Sequence, residues 1–148
     1  MRARSRARGW ALQLLYAWDS RGGETPLPEM LERFVAERRI SDANRAYLDE
    51  LIAALGDRTA EVDRALEEAL TNWRLARLST IDRNILRLGA TEILFLDDVP
   101  PRVSIQEAIL LAEKYGTRES PRFVNGVLDA LMRQSGHAAG LGGSGART

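Results

Sequence analysis

Four arginines at alternate positions, Arg2, Arg4, Arg6 and Arg8, open the chain with no acidic residue among them. Guanidinium groups at that density suit one chemistry above all, the neutralisation of phosphates along a nucleic-acid backbone with release of counterions. Alternate positions advance by about 200° around a helix, so the four side chains scatter around the axis and define no packing face. Residues 1–8 are therefore expected to form a mobile basic arm that orders along a strand as it binds. The alternative is a solubilising terminus that touches nothing. Four phosphate contacts on a single strand would contribute about −2.8 to the slope of log affinity against log salt, from roughly −0.7 per contact.

Tyr16 is the second candidate. It lies about 170° from the centre of its helix's apolar stripe, beside Gln13. A ring in that position could stack an unpaired base, a contact worth about 1–3 kcal/mol. Leu12, on the same flank, supports the other reading, in which the helix is buried on both sides and Tyr16 is core. The third candidate is the stretch from Lys114 to Phe123. It sets the cations Lys114, Arg118 and Arg122 and the aromatics Tyr115 and Phe123 around one inter-helix turn. The free amides of the following helix would add attraction for anions. Gly116, Ser120 and Pro121 are equally what any helix end and restart require, and Phe123 begins a core stripe. Asn125-Gly126 interrupts that last helix after its first turn, a broken local rule that packing or function must explain.

Other chemistries find little material. The chain has no Cys, and its one His, His137, stands in a Gly-rich stretch, which argues against thiolate sites, a His-ligated metal and a Ser-His-Asp triad. The acid pairs Glu67-Glu68 and Asp97-Asp98 are sequence neighbours, which do not face each other on a helix. No phosphate-cradling Gly loop occurs. Neither an enzyme nor a bound cofactor or metal is expected. With 148 residues and formal net charge +0, the chain is one ordinary domain whose body is mildly acidic once the arm is set aside. No apolar run approaches a membrane span and no signal-peptide core follows the first charges, so a soluble, cytoplasmic protein is expected.

The elements that must hold these residues read as helices throughout. Trp10, Ala11, Leu14, Leu15 and Trp18 form a first stripe at the 3.6-residue period, ended by Gly22-Gly23. Leu27 to Val35 gives a second helix. Ser41 caps a third, with Tyr47, Leu48, Leu51, Ile52 and Leu55 as its face. Past Gly56 the pattern continues through Val62, Leu66 and Leu70, as one long helix or two shorter ones. Ser79 with Asp82 opens a strongly apolar helix from Ile81 to Leu96, which Pro100-Pro101 stops. Ser104 and Glu107 read as the capping box of the next helix, with Gly116 at its C′ position. Ser120 caps the last, with Pro121 at N1. No segment alternates like a strand. The expected fold is all-α, about six or seven helices over residues 1–134, with a disordered Gly-rich tail from 135 to 148.

Three stretches carry a resemblance. The first is the Arg-rich start running into Ala11-Leu12-Gln13-Leu14-Leu15-Tyr16-Ala17-Trp18. The second is Ile81-Asp82-Arg83-Asn84-Ile85-Leu86-Arg87-Leu88 with Glu92 and Asp98-Val99-Pro100. The third is Val103-Ser104-Ile105-Gln106-Glu107-Ala108 leading to Phe123-Val124-Asn125-Gly126-Val127-Leu128. In this order and spacing the chain resembles the bacterial transcription antitermination factor NusB family, from about Arg2 to Arg133. The resemblance implies two small helical bundles packed together and a non-enzymatic role. It implies binding of boxA RNA jointly with the ribosomal protein NusE, helping RNA polymerase in its antitermination complex to read through terminators, notably in rRNA operons. By position, the RNA-contacting residues fall on Arg2, Arg4, Arg6, Arg8 and Tyr16 and on the acidic-aromatic pair Glu119 and Phe123. The partner-facing region falls near Asp82 and Arg83. A similar fold and motif occur in the N-terminal domain of certain rRNA cytosine methyltransferases, but this chain shows no catalytic domain and no S-adenosylmethionine binding is expected. The remaining alternative is a protein-interaction module or homodimer, motivated by the very apolar helix from Ile81 to Leu96.

Overall fold

The computed structural model describes residues 2–136, except for the side chain of Arg2; the Gly-rich tail expected from 135 onward lies outside them from residue 137. Seven α-helices and one 3-10 turn account for the described residues, with no strand among them. They are α1 (Arg2–Ser20), α2 (Leu27–Ala36), α3 (Asp42–Asp57), α4 (Thr59–Ala69), α5 (Thr80–Phe95), α6 (Pro101–Tyr115) and α7 (Ser120–Gln134), with the 3-10 turn at Leu75–Arg77. No described helix is long and apolar enough to cross a membrane.

Helices α1, α2 and α3 pack together as one bundle and α4 to α7 as a second; α5 also lies against α1 and α3 and so joins the two. The sequence explains why α5 takes that place. Every residue from Asn84 to Ile93 is buried, so α5 presents no solvated face and needs neighbours all round. The apolar helix that motivated the homodimer alternative is thus covered within the chain. Gly89 makes the closest approach possible: a Cβ there would stand 2.6 Å from Leu128 Cδ1. Ser79 caps the helix as expected, its hydroxyl accepting from the Asp82 amide at 3.1 Å.

Several boundaries differ from the expectation. The break after the third helix falls at Arg58 (φ −133), two residues beyond Gly56, and yields two shorter helices. α6 starts at Pro101, with Pro100 as its N-cap residue, not at Ser104. Proline at the first helical position sets φ in advance and lacks only an amide that has no helical partner, so the pair that stops one helix also starts the next. Ser104 is consequently interior to α6 and buried, its hydroxyl without a hydrogen-bond partner. Gly116 ends α6 with φ −93, in extended backbone, and not as a left-handed C′ residue. It is small for another reason, since a Cβ there would meet Ser120 Oγ at 2.5 Å. α7 begins at Ser120 itself, one residue earlier than expected.

The largest correction concerns the basic arm. Residues 2–8 are the first turns of α1, continuous with the stripe Ala7, Ala11, Leu14, Leu15 and Trp18, all buried. Ala7 lets α1 approach closely, and acidic groups distant in sequence receive the guanidiniums. Arg8 is 4% exposed, and its Nε donates to Glu92 Oε2 at 2.7 Å. The Tyr47 hydroxyl donates to the same carboxylate oxygen. Burial, then the charge of Glu92 and the hydrogen bond to it, push the Tyr47 phenol well above its ordinary range, which keeps it a neutral donor. Arg4 donates to Asp98 at 2.8 Å and lies over the Tyr47 ring at 4.5 Å. Ser5 donates to Glu107 at 2.9 Å.

Candidate nucleic-acid interface

Arg4 and Arg8 turn toward α3, α5 and the loop after it, while Gln13 and Tyr16, about 80–140° further round α1 from Arg8, stand exposed. Residues four apart along a helix share a face, and Ser5, Gly9, Gln13 and Tyr16 continue such a line. Tyr16 is 46% exposed, one of three large hydrophobic side chains among the described residues that stand open to solvent. Leu12, beside it, is buried at 2%. The outward reading of the Tyr16 ring is therefore the observed one, although α1 is buried on its other flanks.

A groove runs between this face of α1 and the outer face of α6. Arg6 and Gly9 line it from α1; Leu110 and Lys114 line it from α6. Ser5 meets Glu107 at one end, while Gln13 shares the lining with Lys114 and Tyr115 further along. Asp19, near the end of α1, receives Arg83, while the adjacent Asp82 accepts from Ser120, so the Tyr16 end of α1 lies toward the turn bearing Arg118 and Glu119. Arg6, Lys114, Arg118 and Glu119 are all exposed. The Lys114 ammonium stands 5.3 Å from the centre of the Tyr115 ring.

The structure does not bring every expected residue to this surface. Arg8 is withdrawn from the phosphate contacts, because its guanidinium is buried against Glu92 and within 3.5 Å of Glu107. Arg4 is half-buried and held by Asp98; its hydrogen bond and charge keep that carboxyl below the usual carboxylate range. The side chain of Arg2 lies outside the described residues. Arg122 and Phe123 line a separate cleft with Leu70, Trp73 and Gly126. Trp73, 58% exposed, was not singled out from the sequence. Its signal there is an aromatic residue set between Asn72 and Arg74, off any apolar stripe.

Asp82 and Arg83 use their polar groups inside the chain. Asp82 accepts from the Ser120 hydroxyl at 2.7 Å, and Ser120 in turn accepts from the Thr117 amide at 3.0 Å, which fixes the turn carrying Arg118 and Glu119. Arg83 donates to Asp19 at 2.7 Å and to the Leu78 carbonyl at 2.9 Å, bracing the segment around the 3-10 turn. Asp19 also accepts from Asn84 at 2.8 Å and from Arg87 at 3.0 Å. Burial alone would raise its pKa, but the bonds from Arg83 and Asn84 and the charge of Arg87 outweigh burial and hold it below the usual range. The acid pairs are likewise engaged in part: Glu67 accepts from the Leu75 amide at 2.7 Å and Asp98 from Arg4.

Comparison with known proteins bears on this arrangement. The model of the NusB family matches residues 5–133. The transcription antitermination protein NusB of Sorangium cellulosum is 43% identical over 136 residues, covering 92% of this chain and 96% of that protein. That of Desulfotalea psychrophila is 46% identical, covering 88% and 96%. Among solved structures, T. maritima NusB superposes with TM-score 0.77 at 34% identity, covering 88% of this chain and 91% of that one. A structure of antitermination factors NusB and NusE in complex with dsRNA aligns with TM-score 0.78 at 34% identity, covering 90% and 98%. Matched over nearly all of its described length in sequence and in fold, the chain belongs to the NusB family.

Proposed function

We propose that this chain is a transcription antitermination factor that acts by binding, without catalysis. It holds boxA-type single-stranded RNA jointly with the ribosomal protein NusE, within the antitermination complex of RNA polymerase, and promotes read-through, notably in rRNA operons. The reading includes a place in the cytoplasm, where nascent RNA is made. The observation that carries it is the outward Tyr16 ring on an anchored helix, one turn beyond a groove that Arg6, Gln13 and Lys114 line. An aromatic ring held rigidly beside exposed cations suits a strand whose bases are free to stack and whose backbone is anionic. The curated relatives, named as transcription antitermination proteins, and the solved NusB–NusE complex with dsRNA support RNA binding jointly with NusE; the preference for a single strand rests on the exposed Tyr16 ring.

In this reading Arg6, Lys114 and Arg118 face phosphates, Arg4 joins them when it leaves Asp98, and Glu119 borders the strand, while Arg122 and Phe123 lie on the separate cleft beside Trp73. Asp82 and Arg83 serve the partner face by shaping it, since their side chains brace the turns on either side of the α5 N-terminus. Exposed Trp73 and half-buried Phe123 lie on that side and add apolar surface for NusE. The test is fluorescence anisotropy with a boxA-like single strand, a scrambled strand and a boxA-like duplex, each with and without NusE. Preference for the boxA-like single strand, strengthened by NusE, is the expected result. Equal affinity for the scrambled strand under both conditions would reject the reading.

A further inference from the structure

Gly9 stands in the middle of α1, and a Cβ built on it would meet nothing within 4 Å. Its φ is not positive. Glycine in a helix interior weakens the helix relative to alanine, so it needs a reason. Packing supplies one for Gly89, which lies tight against Leu128, but not for Gly9. What Gly9 leaves open is the groove between α1 and α6, about 380 Å³ in volume. Leu110 and Trp10 give that groove apolar sides, and Leu110 is 55% exposed there. Arg6 on α1 and Lys114 on α6 put a cation on each rim, and Gln13 offers both an amide donor and an acceptor.

We propose that this groove is a base subsite, which takes one unpaired base of a single-stranded RNA. The faces of the base rest against Leu110 and Trp10, its polar edge meets the Gln13 amide, and the flanking phosphates lie at Arg6 and Lys114. Glu107 also lines the groove, with its carboxylate engaged by Ser5 and Arg8. A nucleotide strand matches apolar sides between two exposed cations, because flat apolar faces alternate with anionic links along it. The proposal rests on the RNA-binding reading above and adds to it a second base position, separate from stacking on Tyr16.

The test uses the full chain, alone and with NusE, and a short boxA-like single strand. A matching set of strands each lacks one base, leaving an abasic ribose. Besides the position stacked on Tyr16, the wild type is expected to lose about tenfold in affinity at a second abasic position, on the scale of a stacked base. Gly9→Leu fills the groove without changing charge; it should bind the intact strand about tenfold more weakly and no longer distinguish that abasic strand from it. Gly9→Ala adds one methyl to open space and should keep the wild-type profile with a raised Tm, which separates groove filling from loss of the glycine. If the wild type binds RNA but Gly9→Leu keeps its pattern of abasic losses, at any overall affinity, the subsite is overturned while the RNA-binding reading stands. If the wild type binds no strand even with NusE, that reading falls and the subsite falls with it.

Discussion

Tyr16 and Tyr47 carry the same phenol into opposite surroundings, and the difference sets what each can do. Tyr16 is exposed on α1, so Tyr16→Ala should leave the urea midpoint nearly unchanged, as surface substitutions do, within about 0.5 kcal/mol. The same change should cost about 1–3 kcal/mol in RNA binding by anisotropy, and an unchanged affinity would remove the ring from the interface. Tyr47 is buried and spends its hydroxyl on Glu92, which also receives Arg8. Glu92→Ala would leave the buried Arg8 charge with only its longer contact to Glu107 and the Tyr47 hydroxyl without its acceptor, a loss of about 3–5 kcal/mol read by urea denaturation. Stability within 1 kcal/mol of wild type, about the effect of an ordinary substitution, would show that Arg8 finds water or Glu107 instead. The direction of Tyr16 was legible in the sequence because helical periodicity is local. The burial of Arg8 was not, because its partner lies 84 positions away and no local pattern announces it. A trace of it existed nonetheless. Glu92 interrupts the apolar stripe of Ile85, Leu88 and Leu96, and an acid in such a stripe calls for a buried cation or donor.

At the scale of elements, the helices with strong stripes, α2, α3, α5 and α7, stood out in the sequence, since burial of one face enforces the 3.6-residue period. The errors collected at starts and stops, where single residues decide. Ser104 and Glu107 fit a capping box, yet Pro100-Pro101 already set the helical start and turned Ser104 inward. The extent of α1 was missed because arginine was read by its charge, while Ala7 and Ala11 were extending the buried stripe. Glycines within helices give the sharpest test of this packing. Gly89→Ala would place a methyl 2.6 Å from Leu128 Cδ1 and 3.3 Å from Cδ2, and Leu128 is fully buried, so it has no room to swing aside. Overpacking of about 1–3 kcal/mol should outweigh the gain in helix propensity of roughly 1 kcal/mol. Gly126→Ala meets nothing within 4 Å and should stabilise α7 by up to about 1 kcal/mol. Thermal melts of the two variants should therefore shift in opposite directions, and a Gly89→Ala chain as stable as wild type would mean that the contact relaxes freely.

At the scale of the whole molecule, ion pairs between distant segments tie the two bundles together, and their titration is the first global signature. Asp19 of α1 receives Arg83, Asn84 and Arg87 of α5, and its folded pKa is lowered. A depressed carboxylate contributes stability above its unfolded pKa of about 3.9, and that contribution is lost as pH falls through the folded value. Stability should thus decline from about pH 5 downward, and Asp19→Asn, less stable at pH 7, should show a flatter acid limb in urea titrations. An unaltered acid limb would place the pH dependence elsewhere. The second signature is the response of RNA binding to salt, and it follows from how α1 divides its arginines. Four free arginines would contribute about −2.8 to the slope. Arg8, pinned by Glu92, cannot share in it, whereas Arg6 is exposed and Arg4, over the Tyr47 ring, has its charge paired by Asp98 at the surface. An exposed ion pair is weak enough for a phosphate to displace. Converting Arg4 and Arg6 together to Ala should therefore flatten the slope by about 1.4. Asp98→Asn, which frees Arg4 of its competitor, should instead raise affinity at low salt. Filter-binding titrations from low to moderate salt measure both, and a double variant that keeps the wild-type slope would mean that the strand follows the α6–α7 cations and leaves α1 untouched.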